Sequence, residues 1–147
     1  MAEIGFYHLT RTGADAALAP LLGRTLTAGE RALVRVASPE RVVAVDAALW
    51  AATAPDWLPH GTARTGHATL QPIWITETAE NPNGARYLFL LDGVDADAGE
   101  WARVFDLFDG TDDAAVAAAR LRWTAAKAAG HALAYWQQGP TGWTKRG

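Results

Sequence analysis

The stretch GFYHLTRTGADAALAPLLGRTLTAGERALVRVAS (5–38) decides the fold class. GFYHLT is an aromatic, strand-like run. In ADAALAPLLGRTLTAGE (14–30), Leu18, Leu21, Leu22 and Leu26 recur at helical spacing, and Gly29 is a natural stop. RALVRVAS (31–38) reads as a strand again. A helix of this length between two strands predicts parallel pairing through a right-handed crossover, and hence an α/β sheet. PERVVAVDAALWAA (39–52) continues the alternation as a second helix, with Ser38 as its cap and Pro39 in the first helical position.

Beyond this opening, residues 54–70 lapse into a loop containing PDWLPHGTARTGH, rich in Pro, Gly and Thr. Strand signals return at PIWIT (72–76) and ARYLFLLDG (85–93), and the intervening ENPNG predicts a tight hairpin connection. YLFLL is apolar on both faces, which suits a central strand covered by helices on each side. GEWARVFDLFDG (99–110) has the spacing of a short amphipathic helix. DDAAVAAARLRWTAAKAAG (112–130) carries the strongest helix signal, with Thr111 or Asp112 as cap, acids first, bases later and Gly130 at its end. HALAYWQQGPTGWTKRG (131–147) reads as a strand, a Gly-Pro turn and a second short strand. The expectation is one domain, 1–147: a mostly parallel sheet flanked by helices on both sides, ending in a strand hairpin.

The chain's 147 residues suit one core, since chains usually divide only beyond ~250 residues. Alanine accounts for 32 residues and Leu, Ile, Val and Phe together for 30, so seven Trp and three Tyr must supply part of the core's bulk. The absence of cysteine excludes disulfides, catalytic thiols and Cys-containing zinc sites. No apolar run approaches the ~20 residues of a membrane helix, and no signal-peptide pattern opens the chain, so a soluble cytoplasmic protein is expected. Charge is unevenly divided. Residues 1–113 hold all 16 acids against eight bases, whereas 114–147 hold five bases and no acid. Such an acidic body opposes phosphate contacts, so strong direct DNA binding is not expected, and a compact acidic ligand fits better.

Motifs with dedicated chemistry are weak. GTARTGH (61–67) has P-loop glycine spacing, but His67 stands where Lys belongs, and no strand precedes it. His8, His60, His67 and His131 lack the i, i+4 spacing of helical metal ligands. The only serine, Ser38, is a helix cap. Asp92 ends a buried strand, where catalytic carboxylates often sit, yet Asp92-Gly93 is also an ordinary turn pair. An enzyme handling nucleotides near Asp92 and His67 is therefore the alternative reading.

Two features remain. Leu49 and Trp50 end the second helix, and Trp57 and Leu58 sit in the following loop, an aromatic cluster of the kind found at protein interfaces. On the long helix, Arg120, Trp123, Thr124 and Lys127 share one side, placing an indole between two cations. That face suits an acidic peptide with a hydrophobic end.

Across nearly its whole length the chain resembles the chi subunit of bacterial DNA polymerase III. The likeness rests on FYHL (6–9), SPERVxAxDxALW (38–50), WLPHG (57–61), QPIWIT (71–76), ENPNG (80–84), LFDG (107–110) and RxxWxxAKAAGHALxYWQQ (120–138). It implies a Rossmann-like α/β domain with no cofactor and no catalysis of its own. It also implies a bridge between the psi subunit of the clamp loader and the acidic C-terminal tail of single-stranded-DNA-binding protein. The tail's terminal Phe and neighbouring Asp residues would dock on the face of Arg120, Trp123, Thr124 and Lys127, and psi on the surface of Leu49, Trp50, Trp57 and Leu58. An accessory helicase is a further implied partner. Thr124 departs from better-known relatives, which have lysine there, and Arg122 or Lys127 is the expected substitute.

Overall fold

A computed structural model describes residues 2–52 and 58–147. Its elements are β1 (Glu3–Leu9), α1 (Ala14–Thr27), β2 (Ala32–Arg35), α2 (Pro39–Ala51), β3 (Gly61–Thr62), β4 (Ile73–Thr76), β5 (Tyr87–Leu90), β6 (Arg103–Asp109), α3 (Asp113–Ala128), β7 (Ala132–Gly139) and β8 (Gly142–Lys145). Among the described residues the strands form one sheet in the order β3-β4-β2-β5-β6-β1-β7-β8. Every pairing is parallel except β7 with β8. The expected α/β class, mostly parallel sheet and C-terminal hairpin are all present.

Local chemistry explains the helix ends. Ser38 Oγ accepts the Arg41 N–H at 3.3 Å and Pro39 opens α2. Asp112 accepts the N–H groups of Ala114 and Ala115 and so caps α3. Gly29 and Gly130 follow α1 and α3 with φ of +77° and +86°, a conformation that terminates a helix at little cost only for glycine.

Two expectations fail. Residues 99–110 are not a helix: after a 3₁₀ turn at Ala98–Glu100 they form β6, paired in parallel with both β1 and β5. Trp101, Val104, Phe105 and Phe108 fall at helical spacing, but they are buried because both faces of a central strand are covered, which erases the two-residue alternation. The β4–β5 hairpin is also absent. β2 lies between these strands and all three run parallel, so residues 77–86 cross back to the start of the sheet. There the ENPNG segment ties the strand entrances together, with Asn83 Nδ2 donating to the carbonyls of Ala32 and Gln71.

The sheet separates two apolar layers. On one face α1 and α2 cover Tyr7, Val34, Ile75, Phe89 and Leu107. On the other, α3 covers Ile4, Phe6 and Phe108, while the segment with Val94, Ala98 and Trp101 packs in the same layer as Leu33, Trp74 and Leu88. This division follows from handedness: β1 leads through α1 toward β2, β6 leads through α3 toward β7, and right-handed crossovers leaving in opposite directions must occupy opposite faces. Among the described residues, no helix is long and apolar enough to cross a membrane.

Candidate functional site

The crossovers part between β1 and β6, and a sheet of this kind opens a crevice beyond the strand ends at that point. Here it holds about 1040 Å³, between the loops that follow β1, β5 and β6. Most of its polar groups satisfy one another. Arg41 pairs with Asp15 at 2.6 Å and with Asp92 at 3.0 Å, and these acceptors, Asp15 foremost, hold its guanidinium still more firmly protonated than usual. Arg122 grips Asp106 through two hydrogen bonds, at 2.7 and 2.9 Å. Burial pushes the Asp106 carboxyl up and the guanidinium opposes that push. Asp109 accepts from the N–H and hydroxyl of Thr111, and both bonds lower its pKa.

The loop after β1 occupies the place of a phosphate-binding loop, but its amides are taken. The N–H groups of Thr10, Arg11 and Thr12 all donate to Oε1 of Gln138, at 3.2, 2.9 and 3.1 Å. Gln138 Nε2 donates in turn to Thr12 Oγ1. Asp92 and Gly93 adopt φ of +60° and +74°, and Asp92 accepts the Ala37 N–H as well as Arg41. Asp92 is thus a turn residue with a full set of partners, and His67 is not among the residues lining the crevice. Among the described residues no group of three His, Asp or Glu side chains could hold a metal ion.

A second cavity, of about 210 Å³, lies between α3 and the sheet. Phe6 of β1, Phe108 of β6 and Tyr135 of β7 form its sheet side, and Val116, Ala119, Arg120 and Trp123 its helix side. Trp123 meets Phe6 edge-on with centroids 5.3 Å apart, and Tyr135 edge-on at 6.1 Å. The Tyr135 hydroxyl is hydrogen-bonded to Nδ1 of His8, whose ring lies 5.1 Å from Phe108. Gly110 permits this arrangement, because a Cβ there would fall 1.9 Å from the His8 ring and 2.6 Å from the Leu9 carbonyl oxygen. Burial raises the Tyr135 pKa while the Arg120 charge opposes the rise, so the cation acts on this wall of the pocket. A cavity of ~150 Å³ accommodates benzene, so this one has room for a phenyl ring with a cation at its edge.

The residues of the expected tail-binding face therefore divide. Arg120 and Trp123 line the pocket; Thr124 and Lys127 are exposed outside it. Thr124 Oγ1 donates to the Arg120 carbonyl. Arg122 cannot replace a missing cation, because its side chain is committed to Asp106 on the other side of the helix. Phe6, Phe108 and Tyr135 were not singled out from the sequence, since their convergence depends on the β6-β1-β7 adjacency.

The second expected surface also divides. Trp50 is 69% exposed, and its ring stands 4.7 Å from that of His60. His60 is buried, with Nδ1 2.6 Å from the Leu58 carbonyl oxygen and Nε2 3.1 Å from Asp46. Leu49 and Leu58, at 4% and 7% exposure, belong to the core, so among the described members of this group Trp50 is the one open to a partner. Val43, one heptad before Trp50 on α2, is exposed too. Trp57 lies outside the described residues.

Comparison with protein families matches residues 1–134 to the family described as DNA polymerase III chi subunit, HolC. No curated protein matches the chain significantly.

Proposed function

The chain belongs to the DNA polymerase III chi subunit family, that is, to the accessory subunits of the replicative polymerase, and on that premise we propose that it is a non-catalytic adaptor whose α3 pocket takes the C-terminal end of an acidic peptide. The partner is the tail of single-stranded-DNA-binding protein. A terminal Phe ring enters between Trp123, Phe6 and Tyr135, while its carboxylate and the preceding Asp side chains meet Arg120 and, further along the helix, Lys127. The observation supporting this reading is the pocket itself: an apolar floor built from two layers of the fold, with a cation at its rim. The psi subunit, or an equivalent clamp-loader component, engages the exposed α2 surface of Val43 and Trp50 together with Trp57, and an accessory helicase competes for that surface. Because α2 and α3 cover opposite faces of the sheet, both partners can bind at once.

Calorimetry with a synthetic acidic peptide ending in Asp-Phe tests the pocket. Micromolar affinity is expected, as suits a contact far smaller than a standard ~1,600 Å² interface. Removing the terminal Phe, or introducing Trp123→Ala, abolishes measurable binding if the ring occupies the cavity; unchanged binding refutes the assignment. For the α2 surface, Trp50→Ala should abolish co-purification with clamp-loader subunits while leaving thermal unfolding unchanged, because the indole is a surface anchor. The crevice lends little support to a nucleotide-handling enzyme, since Arg41, Arg122 and the amides of Thr10, Arg11 and Thr12 are already occupied.

A further inference from the structure

The pocket's basic rim is incomplete as α3 presents it: among the described residues Arg120 is the one cation lining it, Lys127 lies two helical turns away and Arg122 is bound to Asp106. Two more stand at the end of the chain: Lys145, the last residue of β8, and Arg146, just past it. The β7–β8 register pairs Trp136 with Lys145 and Gln138 with Trp143. Trp136 and Trp143 both pack against Tyr7, in the layer covered by α1 and α2. Side chains alternate along a strand, and directly opposed residues share a face. Lys145 therefore lies on the α1/α2 face. Past the end of β8 the Arg146 N–H donates to the Tyr135 carbonyl at 2.7 Å and the Tyr135 N–H donates to the Gly147 carbonyl, so Arg146 and Gly147 together lie opposite Tyr135, whose side chain packs in the layer under α3.

From this we propose that Arg146 is the second cation of the peptide-binding pocket, approaching from the sheet side while Arg120 approaches from the helix. The proposal rests on the reading of the α3 pocket as a peptide site. An acidic peptide whose terminal ring fills the cavity meets Arg120 with one anionic group and Arg146 with another. The family match covers residues 1–134, and β8 and Arg146 lie beyond the matched segment. No acid occurs anywhere in residues 114–147, so no nearby carboxylate side chain in this segment competes for Arg146.

The test is calorimetry at low salt with the full chain and the acidic peptide ending in Asp-Phe. Arg146→Ala should weaken binding about three- to tenfold, the range of a solvent-exposed charge-assisted contact, and added salt should shrink the difference. Arg146→Lys should recover most of the loss. Lys145→Ala, on the opposite face, should bind as wild type. A peptide with its Asp residues changed to Asn should bind wild type and Arg146→Ala equally, which separates a charge contact from damage to the strand. If Arg146→Ala binds like wild type while Arg120→Ala is weakened, Arg146 is not part of the rim and the pocket reading stands. If wild type fails to bind the peptide, or binds it equally well without its terminal Phe, the pocket reading fails and this proposal with it.

Discussion

The crevice at the ends of β1 and β6 and the pocket under α3 are built from neighbouring parts of the same sheet, yet their polar groups are in opposite states. In the crevice most of what an α/β fold offers to a phosphate is occupied from within: Gln138 sits in the amides of Thr10, Arg11 and Thr12, Asp112 caps α3, and Asp15, Asp92 and Asp106 neutralise Arg41 and Arg122, which leaves the Arg11 side chain and the uncapped start of α1. In the pocket the apolar side chains are brought together without filling the space, and Arg120 at its edge has no acidic partner among the described residues. Volume alone would select the crevice, which is about five times larger. Unsatisfied chemistry selects the pocket. A ligand gains most where the protein's own groups have not already been paired, because each internal pair it displaces must be broken first.

The largest effect that could break this comparison comes from Arg122, which lines the crevice. If its pairing with Asp106 is structural, Arg122→Ala leaves a carboxylate buried without its partner and destabilises the protein by about 3–5 kcal/mol in urea unfolding. Replacing both residues by apolar ones of similar volume should restore much of that loss. Near-wild-type stability for Arg122→Ala would mean that the pair is held for a ligand instead.

Arg120 should behave in the opposite way. Arg120→Ala is expected to cost about 1.5–3 kcal/mol of peptide affinity, as for a hydrogen bond to a charged group, and about 0.5 kcal/mol or less of stability, as for an ordinary surface position. An exposed arginine that changed folding and not binding would reverse the roles assigned to the two regions.

Gln138 sharpens the comparison further. Three amides lose one acceptor in Gln138→Ala, but they lie near solvent and water replaces it, so a loss of about 1 kcal/mol is expected. Magnesium-ATP should leave the melting temperature of wild type unchanged. A rise with ATP would show that the crevice binds nucleotide despite its internal partners.

Much of the scaffold behind both regions is legible in the sequence. Ser38, Pro39, Asp112 and Gly130 mark helix ends by chemistry confined to one turn, so neighbours in sequence suffice to read them. β6 is not legible in this way: its strand is buried on both faces, and Val104, Phe105 and Phe108 then carry a spacing that a helix also produces. ENPNG announces a turn, but the turn residues do not specify which strands flank it, and the parallel insertion of β2 is a property of the whole sheet. The site follows the same rule. Arg120 and Trp123 lie on one helix, and periodicity pairs them. Phe6, Phe108 and Tyr135 come from three strands that only the strand order makes adjacent, and the occupant of the β1 loop, Gln138, is more than a hundred residues distant in the chain.

The smallest expected effect asks whether the peptide ends in the pocket or runs along the helix. Lys127 is seven residues beyond Arg120, which at ~1.5 Å per residue places it about 10 Å further along α3, comparable to the ~8 Å screening length at physiological salt. It is exposed and lines no part of the cavity. An acidic residue upstream of the terminal Phe can reach it only as a solvated pair, so Lys127→Ala should cost about 0.2–0.5 kcal/mol of affinity at low salt and nothing measurable at high salt. Lys127 also sits in the last turn of α3, where a cation favours the helix dipole, so stability must be measured in parallel. A small, salt-sensitive loss of affinity with a similarly small change in stability is the expected pair of results. If Lys127→Ala weakens the peptide as much as Arg120→Ala does, the charged contacts are spread evenly along α3 and the pocket no longer anchors the partner's end.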